Sequence, residues 1–414
     1  MGAGNPPPAL TGREAQERQF RTLLARLGGG LSDRSMIVSG LRGVGKTVLL
    51  LEFENIAKDA GWTVPRPFEI KSDTDFRSEL ADAAYQALLQ ISAREALGDR
   101  LKAFTGLLRG FKVGASSDGS VEFSFDPDAV SGSTGDLEWD LISLFEELGQ
   151  TAREHDTGIV FLIDEMQLLA RDELEAVAMA MHRMSQRTLP VALVGTGLPQ
   201  LPGLMLDAKS YAERLFVYPR LGSLSEDAAR QALVEPAHAR DVAWEEDALA
   251  RIVGESGCYP AFIQAYGRVA WNHAPRSPIR ARDVRGAEAI VLADLDDEFF
   301  HARFEKATER ERQYMAAMAD LGEGPYRTAR VAKHLGRQPS YTSAPRDSLI
   351  KKCLIYSPHY GQIDFTAPKF SPFMRRRYPL ERGLSGNDDE STAAARRARS
   401  PPGDRPRGRG PAAA

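Results

Sequence analysis

Lys46 and Thr47 stand directly behind a run of glycines, in GLRGVGKT at 40–47, and that spacing suits a phosphate chain. Gly40, Gly43 and Gly45 let the backbone approach an anion closely. The N–H groups of residues 43 to 47, with Val44 and Val48 in the same turn, would converge on that anion at the start of a helix. A lysine in this position bridges the β- and γ-phosphates of a nucleoside triphosphate, and the adjacent threonine hydroxyl ligates Mg²⁺. Further along, GIVFLIDE at 158–165 puts Asp164 and Glu165 at the end of a wholly apolar run. An aspartate on a buried strand beside the glycine loop would hold Mg²⁺ through water, and the next glutamate would orient and polarise an attacking water. Each motif alone has a plain reading: a glycine turn before a helix, and two solvated acids at a strand end. Together they describe one ATP–Mg²⁺ site, with Gly40, Gly43, Val44, Gly45, Lys46, Thr47 and Val48 as the nucleotide cradle and Thr47 and Asp164 as metal ligands.

Such a site needs a strand ahead of the loop, a helix behind it and another strand alongside. Phe20, Leu23, Leu24 and Leu27 recur at helical spacing between Glu14 and the glycines at 28–30. Met36 to Val38 is a short apolar run leading into the loop, and Val48 to Ala60 continues as a helix stopped by Gly61. Residues 62–70 predict a strand that Pro65 and Pro67 push to a sheet edge. Helices are expected at 75–93 and 94–109, a hairpin over 111–125 around Asp118-Gly119, and a Gly/Ser-rich connection at 131–135, which together read as an insertion. Helix 137–152, strand 159–163, helix 172–187, strand 191–194 and a fifth strand at 214–217 follow. This alternation predicts an α/β fold of the P-loop NTPase kind, a parallel sheet with helices on both faces.

After Leu221 the pattern turns helical, at 225–239 with Ser225 as N-cap, 245–256 and 260–274. A long helix over 283–320, shorter ones at 327–335 and 340–352, and a strand pair over 354–366 complete the ordered part. The expected units are an irregular segment 1–12, a core 13–221, a helical lid 222–282, a winged helix-turn-helix domain 283–382 and a disordered tail 383–414.

Cys258 and Cys353 have no partner at disulfide-framework or zinc spacing, and no apolar run is long enough to span a bilayer. With an N-terminus lacking the features of a signal peptide, the chain reads as cytoplasmic with no membrane partner. Net charge is −4, unevenly spread: residues 298–382 carry 16 Lys and Arg against 9 Asp and Glu. An acidic front joined to a basic back directs any nucleic-acid contact to the back.

The order of PPPALTGRE, the two nucleotide motifs, VGTGLPQLP, YAERLFVYPRLGSLS and SGCYPAF resembles the AAA+ ATPases, in particular the archaeal-type ATPases related to origin-recognition replication initiators, over about residues 5 to 375. The resemblance implies a sensor hydroxyl at Thr196, at the tip of the strand beside Asp164, though a threonine between Gly195 and Gly197 is also ordinary turn chemistry. It implies an arginine finger at Arg214, reaching a neighbouring subunit's nucleotide; an arginine at a strand start equally serves as a surface charge. Catalytic roles would thus fall to Glu165, Thr196 and Arg214, and Leu10 to Arg13 would line the adenine pocket. Where the initiators carry a lid arginine, Ala261 follows Gly257, Cys258, Tyr259 and Pro260 here. That departure points to slower hydrolysis.

In the winged helix, Lys351, Lys352, Lys369 and Arg375 to Arg377 are expected near backbone phosphates, with Tyr341, Thr342, Ser343 and Arg346 toward the major groove. Pro345 sits awkwardly in that recognition helix unless the helix begins near it. The leading expectation is an ATP-binding, ATP-hydrolysing regulator of duplex DNA that can self-associate or take a protein partner. The alternative is a signal-transduction ATPase switch whose winged helix mediates autoinhibition or protein contacts. A small-molecule kinase suits the motif order less well.

Overall fold

The computed structural model describes residues 7–92, 111–115, 121–125 and 136–380. The expected helix 94–109, the 131–135 connection and the 383–414 tail lie outside them.

The first helix, Glu14–Gly28, buries Phe20, Leu23, Leu24 and Leu27 along one stripe, as their spacing requires. β1 (Ser35–Gly40) then runs into the glycine loop, and Lys46–Asp59 is the helix behind it. β2 (Phe68–Glu69) is only two residues long, and it lies at the sheet edge to which the prolines confine it. Helix Phe76–Ser92 precedes a separate antiparallel hairpin, β3 (Phe111–Ala115) and β4 (Val121–Phe125). Helix Leu137–Glu154, capped by the Asp136 side chain, leads to β5 (Ile159–Asp164), then helix Arg171–Gln186 and β6 (Val191–Gly197). β7 (Phe216–Val217) and β8 (Arg220–Leu221) both pair with β1.

These six strands form one parallel sheet in the order β2-β5-β6-β1-β7, with β8 farther along the β1 edge. Successive residues of the central strands point to opposite faces, and each face carries its own core. Met36, Val38, Val160, Leu162, Ala192 and Val194 meet the first two helices. Ile37, Ile159, Phe161, Ile163, Val191 and Leu193 meet the helices between 76 and 208. A strand buried on both faces is apolar along its interior, which is why IVFLI reads as a continuous run before the buried Asp164.

Two expectations change. Arg214 does not begin a strand: AERL folds as the short helix Ala212–Leu215, and extended backbone starts at Phe216. Alanine, glutamate, arginine and leucine all favour helix, and β7 offers only two pairing positions to compete. The long helix over 283–320 is also interrupted. Ala281–Asp294 passes into a π-helical turn, Leu295–His301, then the short Ala302–Phe304, and a new helix starts at Glu309. Thr308 and Glu311 form a capping box at that start, with Thr308 N–H donating to Glu311 Oε2 at 2.6 Å.

Helices Glu226–His238, Glu246–Ser256 and Pro260–His273 make the lid, and Ser225 caps the first through its hydroxyl. Ala281–Asp294 packs on the second and third of these. Glu309–Asp320, β9 (Tyr326–Arg327), Thr328–His334, Pro339–Lys351, β10 (Ile355–Tyr356) and β11 (Gln362–Phe365) form a winged helix, whose small sheet is antiparallel in the order β10-β11-β9. Its recognition helix begins at Pro339, so Pro345 sits inside it and leaves one main-chain bond unmade. The last helix, Phe370–Arg377, packs Phe370 and Phe373 against Phe300 from the π turn, with ring centroids 5.7 and 5.1 Å away.

Glu311 ties this unit together. Burial by itself would raise its carboxyl, but hydrogen bonds from Lys352, Ser348 and Thr308 overrule burial and hold it at about 2. A carboxyl depressed from 4.5 in this way stabilises the fold fully above about pH 4.5 and loses that contribution as pH falls toward about 2. Glu311→Gln is expected to cost about 2 kcal/mol or more at neutral pH and to flatten the acid limb of stability between those values; denaturant unfolding at stepped pH measures both.

Candidate functional site

The glycine loop closes over the end of β1. Gly43 and Gly45 sit at φ 82° and 93°, backbone that side-chain-bearing residues adopt only with strain. A Cβ on Gly43 would stand 2.9 Å from Ala261 Cβ and 3.0 Å from the Phe299 ring, so the loop apex is closed in by the lid and the π turn. Behind the apex, Lys46 is buried, with its ammonium on the carbonyls of Gly40 (3.2 Å) and Leu41 (3.3 Å). Burial lowers its pKa, partly offset by Glu165 and Asp164.

Asp164 ends β5 at the heart of the site. Thr47 Oγ1 donates to its Oδ2 at 2.6 Å, and Thr196 Oγ1 at the end of β6 donates to its Oδ1. Glu165 follows in left-handed backbone, φ 57°, a conformation a non-glycine residue holds only when its surroundings impose it. Its carboxylate takes a 2.5 Å hydrogen bond from Gln167 Nε2 and lies 3.7 Å from the Arg42 guanidinium. Gln167 is itself fixed, its Oε1 accepting from Leu198 N–H at 3.0 Å.

Around these residues opens a cavity of about 620 Å³, of the size that small-molecule sites occupy. Its lining includes Lys46, Thr47, Asp164, Glu165 and Arg303, and also the apolar side chains of Leu10, Leu51 and Ile263. Arg13 reaches across the loop to donate to the carbonyls of Val44 and Gly222, both at 3.0 Å, clamping the glycine loop to the end of β8. Three further hydrogen bonds engage the loop's backbone, two from the lid and one to the wing. Tyr259 Oη donates to Arg42 O at 2.5 Å, Ala261 N–H to Gly43 O at 3.1 Å, and Arg42 N–H to Thr366 O of the wing at 2.9 Å.

Gly43, Val44, Gly45, Lys46, Thr47, Val48, Asp164 and Glu165 therefore gather on one cavity, with Thr196 joined to them through Asp164. Gly40 closes the strand below, where Val44 and Leu221 leave no room for a Cβ. Arg214 is exposed on its short helix and does not line the cavity. The sequence reading missed Gln167, although it follows the FLIDE run by two residues. It also missed Arg303 and Phe299, for which no local pattern exists.

A family model described as an AAA ATPase domain matches residues 9–194. That match takes in both nucleotide motifs and a little under half of the chain. A second model, described only as a domain of unknown function, matches residues 297–374, which span the π turn and the winged helix. No curated protein matches. Among solved structures, the Walker-type ATPase PABY2304 of Pyrococcus abyssi is 15% identical, with 90% of this chain and 98% of that one covered at a TM-score of 0.54. That likeness extends a shared architecture beyond the ATPase domain into the lid and winged helix. The ORC1 protein of Aeropyrum pernix in complex with DNA (16% identity, 91% and 96% covered, TM-score 0.41) and the RuvB Holliday junction branch migration motor of Thermotoga maritima (15%, 88% and 95%, 0.44) are also similar.

The basic C-terminal surface differs from expectation. Lys352 pairs with Glu311 at 2.7 Å, Arg375 with Glu323 at 3.5 Å, Arg376 with Asp296 at 2.5 Å and Arg377 with Asp297 at 2.9 Å. Lys369 donates to the Glu255 carbonyl of the lid. These side chains are engaged within the winged helix, as Lys352 is, or between it and its neighbours, so they are not the unpaired phosphate contacts that composition suggested. Exposed basic side chains without a carboxylate partner among the described residues include Lys351, Arg310 and Arg337, the last two flanking the exposed Tyr341 ring at 5.7 and 5.0 Å. Thr342 is buried in the recognition helix, so it does not face outward either.

Since Gln167 is the bond that aims Glu165, Gln167→Ala is expected to lower ATP turnover about tenfold, roughly 1.4 kcal/mol in the barrier, with ATP affinity within about twofold. Steady-state turnover and equilibrium nucleotide titration on the same preparation separate the two effects.

Proposed function

We propose that this protein is an ATP-hydrolysing switch whose nucleotide state controls a DNA-binding winged helix. The observation that carries the reading is the joining of Lys46, Thr47, Asp164 and Glu165 on one cavity inside an AAA ATPase domain. Lys46, buried and without an ion pair among the described residues, is suited to the β- and γ-phosphates. The Thr47 and Asp164 oxygens, 2.6 Å apart at the cavity edge, suit a hard cation that takes its other ligands from phosphate and water. Mg²⁺ held there would neutralise charge that develops on the phosphates. Glu165, held by Gln167, would accept a proton from the attacking water, and Thr196 would keep the Asp164 carboxylate turned toward the metal position. Arg214 would act only on a neighbouring copy, since it stands apart from its own cavity. The lid and wing bonds on the loop backbone support coupling between nucleotide and winged helix.

On the recognition side, the outward face of Tyr341, Arg310, Arg337 and Lys351 supports duplex contact. A second reading, in which the winged helix shuts the core or recruits a protein, is favoured by the Arg42–Thr366 bond and by the internal pairing of four basic side chains.

Lys46→Ala is expected to reduce ATP affinity at least about 100-fold, and Glu165→Gln to leave binding nearly intact while turnover falls about 100-fold or more. Mobility shifts with duplex DNA at about 50 and about 200 mM salt, with ATP, ADP and neither, test the second part. Binding that depends on ATP and weakens with salt supports the DNA switch; no shift at the lower salt in any state sinks it in favour of protein contacts.

A further inference from the structure

Four arginines line the nucleotide cavity, and three of them already have work inside the fold. Arg13 donates to two main-chain carbonyls. Arg268 pairs with Asp294 at 2.9 Å and lies 3.7 Å from Glu298. Arg42 faces Glu165. Arg303 alone of the four is held only by its own turn, with its guanidinium on the Phe299 carbonyl and 4.2 Å from the centroid of the Phe299 ring. Among the described residues no carboxylate pairs with it. Burial, with Arg42 nearby, lowers its pKa to about 10, which leaves it charged at neutral pH.

A half-buried guanidinium without an anion is costly to the folded state, and charge-assisted bonds to a phosphate would offset that cost. We propose that Arg303 is the cation that grips the outermost phosphate of the bound nucleotide, an assignment that rests on the ATP reading of this cavity. Its placement decides which phosphate. Its guanidinium lies on the Phe299 ring and that ring lies against Gly43, so Arg303 stands beside the glycine loop, where it feels Arg42 and Glu165 and Lys46 feels it in turn. The π turn is what delivers it: the extra width there seats Phe299 on Gly43, and Arg303 follows one turn later over the loop.

The lid offers Ala261 against the loop, so the contact comes from beyond the lid. Arg303 belongs to the same short segment that sends Phe300 and Phe304 into the aromatic cluster with Phe373 and Tyr378. A guanidinium engaged by the outer phosphate thus ties triphosphate, and not diphosphate, to the base of the winged helix.

Equilibrium titration of the full chain with fluorescent ATP and ADP analogues in the presence of Mg²⁺, for wild type, Arg303→Ala and Arg303→Lys, tests this. Arg303→Ala is expected to weaken ATP about tenfold or more while ADP changes less than about twofold, and lysine to restore only part, since it cannot form the two-pronged bond. Equal loss for both nucleotides, or no loss for either, overturns the Arg303 assignment and leaves the cavity reading standing. A wild-type protein that binds neither nucleotide overturns the ATP reading and this assignment with it. Melting curves check folding, and should the alanine variant fail to fold, the ATP-to-ADP affinity ratio of the lysine variant decides by the same criteria.

Discussion

The Asp164 carboxylate joins the carboxyl ends of neighbouring strands, and the geometry of the site hangs on it. One oxygen accepts from Thr47 behind the β1 loop at 2.6 Å, and the other from Thr196 of β6 and from Glu165 N–H at 2.8 Å. Its main-chain carbonyl accepts from Ile70 N–H beyond β2, at 3.0 Å. A carboxylate this buried is tolerated only when its oxygens are met, and meeting them fixes β1, β5 and β6 relative to each other to within a hydrogen bond. The left-handed Glu165 follows directly, because the chain must turn out of β5 while its N–H stays on Asp164. The buried carboxylate in turn favours a cation beside it, and Lys46 of the same cavity feels it.

The loop opposite that carboxylate is a meeting point for the whole chain. Its carbonyls at Arg42 and Gly43 are held by the lid, and its Arg42 N–H holds the wing, while Arg13 fixes the carbonyl of Val44. Hydrogen bonds of this length tolerate displacements of only a few tenths of an ångström before weakening. A change in the loop's backbone is therefore felt by the lid and winged helix without any long mechanical path. The aromatic cluster around Phe300 and Phe373 makes the receiving end stiff, since packed rings move together.

Composition alone overstated the free positive charge of the C-terminal part. The count of Lys and Arg over 298–382 is real, but Asp296 and Asp297 lie just ahead of that window and take up Arg376 and Arg377. Charges that are distant in sequence and adjacent in space pair in the fold, so fewer of the exposed basic side chains lack a carboxylate partner than the count implies, Arg310 and Arg337 beside Tyr341 among those that do.

The sequence by itself determined the parts whose chemistry is local. The glycine spacing, Lys46 and Thr47 lie within one turn, and the doubly buried strands β1, β5 and β6 are legible because a strand covered on both faces is apolar over most of its length, with polar residues only where they find partners. The Thr308–Glu311 cap was also written locally, and it marks the break in what periodicity alone joined into one long helix. Arg214 fell on the wrong side of a helix boundary because four helix-favouring residues outweighed a two-residue strand. Only the tertiary structure decided that Gln167 aims Glu165, that Arg13 clamps the loop, and that Arg303 reaches the cavity from beyond the lid. Each of these is a contact between segments far apart in sequence, and its geometry is fixed by packing, which no spacing along one segment encodes.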